Sequence, residues 1–237
     1  MTDYLVFTLY GPLASWGEIA VGESRHSTMY PTRSALIGIL GAAVGVDRAD
    51  ETGQAALRDG YRFGLRVDAF GDPLRDYHTV QYGEPERRQV LHSRRDVLRT
   101  ARKVGTLLSA REYRCDAAAL VAVEAMANAP YELADLVAAL RKPRYVLYLG
   151  RKSCPPALPL NPVVVTAPDL RSAFAASPPS AFRLSGRHGG DAYFWESGME
   201  PGVAASGVHW RYDQPLSRGR WQFTRRQEWR GSTGGDA

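Results

Sequence analysis

The order of periodic segments along the chain is what most constrains its fold. Residues 3–10 are rich in aromatic and apolar side chains and predict a strand, which Gly11 and Pro12 end. The same criteria predict strands over 61–69, 75–82, 113–124 and 158–166, a short helix over 51–59, and longer helices over 33–45 and 131–140. In outline this is the order β-α-β-β-α-β of ferredoxin-like and RNA-recognition domains. The sequence therefore predicts an α+β, ferredoxin-like domain over residues 1–166.

The helix over 33–45 carries the first candidate site. Thr32 is placed to cap it, and the free amides beside Arg33 and Ser34 would suit a phosphate. Gly38 is one of three glycines on a single stripe of this helix, at a cost of up to about 1 kcal/mol each. Another backbone or a ligand must therefore approach that stripe closely. For Arg33, a surface charge or an intradomain ion pair is the alternative.

Residues 83–112 interrupt the regular pattern. Eight cations face four anions there, and the apolar residues do not alternate well. We interpret this excursion as a protruding β-hairpin, a thumb inserted into the domain, whose excess positive charge suits it to lie along RNA. The cations taken as RNA contacts are Arg94, Arg95, Arg99, Arg102 and Arg111.

Residues 142–155 interleave cations with aromatic rings. In an extended segment, alternation would place Tyr145 on one side and Arg144 on the other, ahead of a turn formed by Arg151, Lys152 and Ser153. Such a surface could stack on a base and contact phosphates. The alternative is a buried strand with a basic end.

The chain has a formal net charge of +5, and nearly all of its cations are arginines. Arginine binds phosphate in a bidentate manner and stacks on bases, so a polyanionic partner is indicated, although a G- and C-rich genome would also favour arginine. Cys115 and Cys154 form neither a disulfide framework nor a metal cluster, which predicts a reducing cytoplasm. No signal peptide is recognisable, and no apolar run approaches the roughly 20 residues of a membrane span.

The remainder of the chain reads as an appendage to this domain. Residues 167–230 predict a small, irregular, β-rich C-terminal extension that ends in a basic strand over 220–230. Residues 231–237 are predicted to be disordered.

Catalytic and cofactor motifs are scarce. There is no Walker loop, no Gly-x-Ser-x-Gly elbow and no histidine or cysteine spacing typical of a metal site, so no cofactor is expected. Asp76, Tyr77 and His78 could supply a general base and a phenol. However, His78 lies in the middle of a predicted strand, where a structural histidine is several times more common.

Five blocks of sequence together resemble the CasD family of Cascade subunits, from type I-E CRISPR surveillance complexes. They follow one another in colinear order over residues 3–165, and their combination is far more specific than any one of them. The blocks are Gly11-Pro12 with Trp16-Gly17, Tyr30 to Ser34 with Gly38 and Gly41, Arg75 to Thr79, Arg111 to Asp116, and Lys142 to Pro155.

The resemblance implies a modified RNA-recognition fold whose thumb is residues 83–112. It implies a non-catalytic subunit that grips the 5′ handle of the CRISPR RNA, caps the backbone subunits, abuts the large subunit and lies near target DNA. Arg111 matches a position close to the RNA where handle meets spacer. Together with Arg25, the residues named above complete the set of predicted RNA contacts: Arg25, Arg33, Ser34, Gly38, Arg94, Arg95, Arg99, Arg102, Arg111, Arg144, Tyr145, Arg151, Lys152 and Ser153.

Two other functions stay open. Relatives in type I-C systems cleave precursor CRISPR RNA without metal, so the main alternative is a metal-independent endoribonuclease that uses Tyr77, His78 and a thumb arginine. A stand-alone RNA-recognition module is the second, and the missing linear aromatic signature of such modules argues against it.

Overall fold

The computed structural model describes residues 1–20, 22–84, 90–178 and 192–233. Within these ranges the chain forms eleven strands and five helices. The strands are β1 (Thr2–Ala14), β2 (Trp16–Gly17), β3 (Ser24–Arg25), β4 (Ser27–Thr28), β5 (Tyr61–Ala69), β6 (Asp72–Gly83), β7 (Val104–Ala125), β8 (Val163–Ala167), β9 (Ala192–Trp195), β10 (Ala205–Ser217) and β11 (Gln222–Ser232). The helices are α1 (Arg33–Val44), α2 (Glu51–Gly60), α3 (Arg94–Thr100), α4 (Leu133–Arg141) and α5 (Leu170–Ala176). No helix in these ranges is long and apolar enough to cross a membrane.

One large sheet organises the molecule. Its main path runs β10-β11-β9-β5-β7-β1-β8, and every neighbouring pair along that path is antiparallel. Side chains alternate between its two faces: Leu5 and Phe7 of β1 join a core beneath α1 and α4, whereas Tyr4 and Val6 join a smaller core beneath α5. The fold is therefore a mixed α/β structure dominated by an antiparallel sheet.

Helix α1 confirms the predicted start and end almost residue for residue. The Thr32 side chain accepts a hydrogen bond from the Ala35 amide, and Gly45 ends the helix at φ 86°. Of the glycine stripe, Gly41 lies against Leu57 of α2, and a Cβ at Gly38 would lie 3.7 Å from the Arg218 guanidinium. The close approach inferred from these glycines is thus made by side chains, not by the sheet or another backbone.

The protruding hairpin is longer than the predicted thumb. β6 pairs with the first half of β7 from Asp72 opposite Cys115 to Gly83 opposite Val104, and α3 lies in its tip. Nearly every residue of β6 is exposed, so this strand, expected to lie in the core, belongs to the hairpin instead. Residues 85–89 of the predicted thumb lie outside the described residues. We call residues 72–115 the protruding hairpin.

Residues 142–155 form no strand, contrary to the extended segment expected there. The reason lies in their hydrogen bonds: the amides of Arg144 and Tyr145 donate to the carbonyls of Ala43 and Ala42, at the C-terminal end of α1. These contacts satisfy helix-end carbonyls that would otherwise lack partners, and they hold the segment beside α1 rather than in the sheet.

The C-terminal strands continue the same sheet, and the register between β10 and β11 shifts at three places. β9 pairs with β5 from Gly64 opposite Trp195 to Val67 opposite Ala192, and β10 and β11 extend the sheet beyond it. Gly231 and Ser232, predicted to be disordered, belong to β11. Residues 179–191 and 234–237 lie outside the described residues, including most of the predicted disordered tail.

Candidate nucleic-acid interface

A cleft runs along the glycine side of α1. It consists of two adjoining cavities of about 200 and about 630 Å³ that share five lining residues, namely Gly38, Ala42, Tyr148, Arg218 and Trp221. We call it the α1 cleft. One wall is α1, the second is the irregular 145–152 segment, and the third comes from β10 and β11 with the turn between them. The predicted contacts Ser34, Gly38, Tyr145 and Lys152 all line it.

Aromatic rings form much of the cleft surface. Tyr145 is 45% exposed, and Tyr148 and Trp221 are also partly open to solvent. The Arg48 guanidinium lies 4.7 Å from the Trp221 ring centroid, in a cation–π contact. The cleft therefore offers π faces on which unstacked bases can lie.

Arg218 is the central cation of the cleft. It is partly buried, and Nη2 donates a 2.6 Å hydrogen bond to the Ser34 carbonyl. Among the described residues it forms no ion pair with a carboxylate, and burial and the neighbouring Arg48 lower the pKa of its guanidinium. A partly buried cation without an anionic partner is costly. It is suited to receive an anion such as phosphate.

Three carboxylates also line the two cavities, but two of them are already engaged. Asp213 pairs with Arg226, with Nε 2.7 Å from Oδ1, and Asp47 accepts a hydrogen bond from the Ala49 amide. The third, Glu18, is exposed at the rim. Arg48, Lys152 and Arg218 have no carboxylate partner among the described residues, and set against Asp47 and Glu18 these three cations leave one positive charge in excess.

The predicted phosphate contact by Arg33 is wrong for this structure. Its side chain is 5% exposed, its Nε lies 2.7 Å from Glu196 Oε1, and Nη2 donates to the carbonyls of Arg58 and Tyr61. Arg33 thus forms an intradomain ion pair with Glu196, which was one of the alternatives for this residue. The helix start is not free either, because the Arg33 amide donates to Asp213 Oδ2 at 2.8 Å. An internal carboxylate occupies the place expected for phosphate.

A second group of predicted contacts meets at the base of the protruding hairpin. Arg25 of β3 pairs with Arg111 of β7 in parallel register. Arg151 donates to the carbonyls of Arg25 and Glu112, and its guanidinium lies 4.9 Å from the Tyr113 ring centroid. Arg151 therefore holds the turn against the hairpin while Arg25 and Arg111 remain exposed.

The remaining predicted contacts are spread over the surface. Arg94, Arg95, Arg99 and Arg102 are exposed in and after α3, at the tip of the protruding hairpin. Arg144 packs its aliphatic stem over Gly45, and Ser153 is exposed next to the buried Cys154. The structure thus gathers the predicted residues at three separate places rather than in one pocket.

The candidate nuclease residues lie on the protruding hairpin. Tyr77 and His78 are consecutive in β6, so their side chains point to opposite faces and cannot converge on one phosphate. His78 has a titratable neighbour, because its Nδ1 lies 3.2 Å from Asp76 Oδ2. The His78 side chain is 53% exposed and the Asp76 side chain 35% exposed. No group of three or more His, Cys, Asp or Glu in the described residues could hold a metal ion.

Sequence reasoning missed Arg48, Tyr148 as a cleft residue, Arg218 and Trp221. Arg218 and Trp221 belong to a run, Arg218-Gly219-Arg220-Trp221, that shares the cationic and aromatic character of residues 142–155. That shared composition is the signal that could have paired the two segments.

Comparisons with known proteins agree with this architecture. The family model described as CRISPR-associated protein (Cas_Cas5) matches residues 4–228. CRISPR system Cascade subunit CasD of Escherichia coli (strain K12) is 34% identical over 240 residues, covering 97% of this chain and 95% of that protein. A chain from a solved CRISPR RNA-guided surveillance complex is 28% identical with a TM-score of 0.66, covering 97% of this chain and 90% of its own length. A solved Cas protein is 29% identical with a TM-score of 0.62, covering 97% and 94%. These matches confirm the resemblance to CasD, and the chain belongs to the Cas5 family of CRISPR-associated proteins.

Proposed function

We propose that this chain is a non-catalytic, RNA-binding subunit of a Cascade-type surveillance complex, and that it grips the 5′ handle of the CRISPR RNA in the α1 cleft. The observation that carries the proposal is Arg218, a partly buried cation with no carboxylate partner among the described residues, set beside the rings of Tyr148 and Trp221. Phosphate supplies the missing charge, and the rings accept the splayed bases.

The relatives support the assembly. The relative from Escherichia coli is a Cascade subunit, and one structural neighbour comes from an RNA-guided surveillance complex. By analogy, this chain would contact the backbone and large subunits and lie near target DNA. A cytoplasmic location follows from that role.

The fold assignment is part of the proposal. We assign the central strands as ferredoxin-like, with residues 1–166 as the RNA-binding domain and the later strands as its extension. Support comes from the order β8-β1-β7-β5, which places the fourth, first, third and second strands of a β-α-β-β-α-β unit side by side.

The path of the RNA would continue from the cleft to the protruding hairpin. Arg25 and Arg111 at its base and the four exposed α3-region arginines at its tip supply further phosphate contacts. Such contacts position a strand without reading its sequence, so base selectivity falls to the cleft.

Arg218→Met tests the cleft directly. Binding of the full chain to its cognate repeat RNA is measured by fluorescence anisotropy, with unfolding by urea as the stability readout. We expect affinity to fall about tenfold or more, since the substitution removes a charged group that binds phosphate. Stability should change by no more than about 1 kcal/mol, because no carboxylate is left unpaired. Arg171→Met, an exposed arginine on α5, is the matched control. Unchanged affinity in Arg218→Met contradicts the cleft assignment.

The same RNA tests the endoribonuclease alternative. Asp76 lies beside His78 and could orient it as a general base, so the test is needed. Incubated with the chain in EDTA, the RNA should remain intact, because Tyr77 and His78 face opposite sides of β6. A fixed cut that disappears in His78→Ala would establish the nuclease instead.

A further inference from the structure

Strand β10 has an unusual distribution of side chains, with polar residues facing the interior and apolar residues facing solvent. Its polar residues His209, Arg211 and Asp213 point into the molecule, whereas Val208, Trp210, Tyr212 and Leu216 point outward. Trp210 is 52% exposed and Tyr212 is 60% exposed. Single exposed apolar residues are ordinary, but a row of four along one face of a strand is not.

The inward half of this pattern is explained by internal pairing. Arg211 Nη1 lies 3.3 Å from Glu228 Oε1, and Arg226 Nε lies 2.7 Å from Asp213 Oδ1. These ion pairs join β10 to β11, so the buried charges have partners. Nothing comparable accounts for the outward rings, since β10 is the edge of the sheet and no described element covers that face.

The chemistry of the outward face is specific. The Arg225 guanidinium lies 4.7 Å from the Trp210 ring centroid, and Gln227 is the partner of Trp210 across the strands. Arg225 forms no ion pair with a carboxylate in the described part of the chain, and Glu18 is the one carboxylate lining the cavity that Trp210 and Tyr212 share. An aromatic face beside an unpaired arginine matches a ligand with a π system and a negative charge.

The two rings suit nucleobases. Trp210 and Tyr212 are alternate residues of β10, and more than half of each is exposed. The register between β10 and β11 shifts after Arg211, so each ring counts as a separate stacking surface for one base. RNA-recognition domains stack bases on exposed rings of a sheet in a related way.

We propose that Trp210, Tyr212 and Arg225 form a second binding platform, outside the α1 cleft, for one or two bases of a single-stranded nucleic acid. Tyr212 also lines the cleft, so a strand leaving the cleft meets the platform next. Trp210 and Arg225 lie outside the cleft. The proposal of a platform therefore does not depend on whether the cleft binds the 5′ handle. A protein strand added to the β10 edge is the competing occupant, and the test separates the two.

The test uses the full chain with labelled 15-nucleotide oligouridine RNA and oligothymidine DNA. Trp210→Ala should weaken binding about fivefold or more, the loss of one base–aromatic stack. Trp210→Phe keeps a ring and should stay within about twofold, and Val208→Ala, an exposed aliphatic neighbour on the same face, should have no effect. Arg225→Ala should also reduce the salt slope by about 0.7 if it contacts one phosphate. The two oligonucleotides show whether the platform prefers RNA or DNA.

Three results overturn the platform: binding of neither oligonucleotide, equal losses in Trp210→Ala and Val208→Ala, or release of a partner subunit from the purified complex by Trp210→Ala with unchanged oligonucleotide affinity. The last identifies a protein contact. Arg218→Met is measured alongside. If Arg218→Met weakens oligonucleotide binding and Trp210→Ala does not, the cleft is supported and the platform is refuted. If Trp210→Ala weakens binding and Arg218→Met does not, the platform is supported and the cleft is refuted.

Discussion

Arg33 and Arg218 each follow a hydroxyl-bearing residue in the sequence, but they have different partners in the structure. Arg33 is buried against Glu196, which lies 163 residues away in the chain. Arg218 is partly buried, and in the described part of the chain its guanidinium donates to the Ser34 carbonyl and pairs with no carboxylate. What separates a structural arginine from a candidate phosphate ligand is the presence of a carboxylate partner. That partner is supplied by tertiary structure, so the local sequence around Arg33 could not reveal it.

Arg33→Ala should therefore act on stability rather than on RNA. Among the described residues it leaves Glu196 buried with the more distant Arg226 as its remaining cation, and burial already raises the pKa of that carboxyl group. We expect the free energy of unfolding to fall by about 3 kcal/mol or more, measured in urea. The exposed Arg94→Ala should change it by less than about 0.5 kcal/mol. An Arg33→Ala variant of normal stability and weakened RNA binding would restore the original phosphate role.

At the scale of elements, the sequence predicts well wherever apolar residues recur with the period of a helix or a strand. α1, α4 and β5 follow their predicted ranges because their apolar spacing matches the faces they bury. It fails where that constraint is missing. β7 runs over 22 residues, but residues 104–112 belong to neither core and show no alternating burial pattern. Likewise, the 142–155 segment is shaped by hydrogen bonds to the end of α1, which no local pattern encodes.

The tip of the protruding hairpin should bind RNA through charge. The combined change of Arg94, Arg95, Arg99 and Arg102 to alanine should lower RNA affinity and reduce the log–log salt slope by about 0.7 for each phosphate that is no longer neutralised. Stability should hold, because all four side chains are exposed. Arg171→Ala on α5 is the control for removal of a surface charge. Unchanged affinity and salt slope would leave these four residues a role in solubility only. Arg111 would then be the one predicted RNA contact of the hairpin still to be tested.

At the scale of the whole molecule, β9, β10 and β11 are integral strands of the large sheet. Tyr30 stacks on Phe194 at a centroid distance of 3.9 Å and donates a 2.8 Å hydrogen bond to Glu228. Asp213 accepts the first amide of α1, and β9 covers the edge of β5. The wall of the α1 cleft and the β10 platform both come from this part of the chain. Residues 1–166 therefore include β1, β5, β7 and most of β8, but not all the contacts that hold these strands in place.

A chain ending at Ser177 tests whether residues 1–166 fold alone. It lacks β9, which is one of the two partner strands of β5, and it also lacks the ion-pair partner of Arg33 and the ring that stacks on Tyr30. We therefore expect it not to unfold cooperatively, as measured by near-ultraviolet circular dichroism during heating and by trypsin digestion. A chain ending at Thr233 keeps all eleven strands and is the control, with a single transition matching that of the full chain. If the shorter chain melts in one sharp transition and resists trypsin, the predicted domain is independent. The buried arginine–carboxylate pairs would then serve to attach the C-terminal strands, and would not be needed for the core to fold.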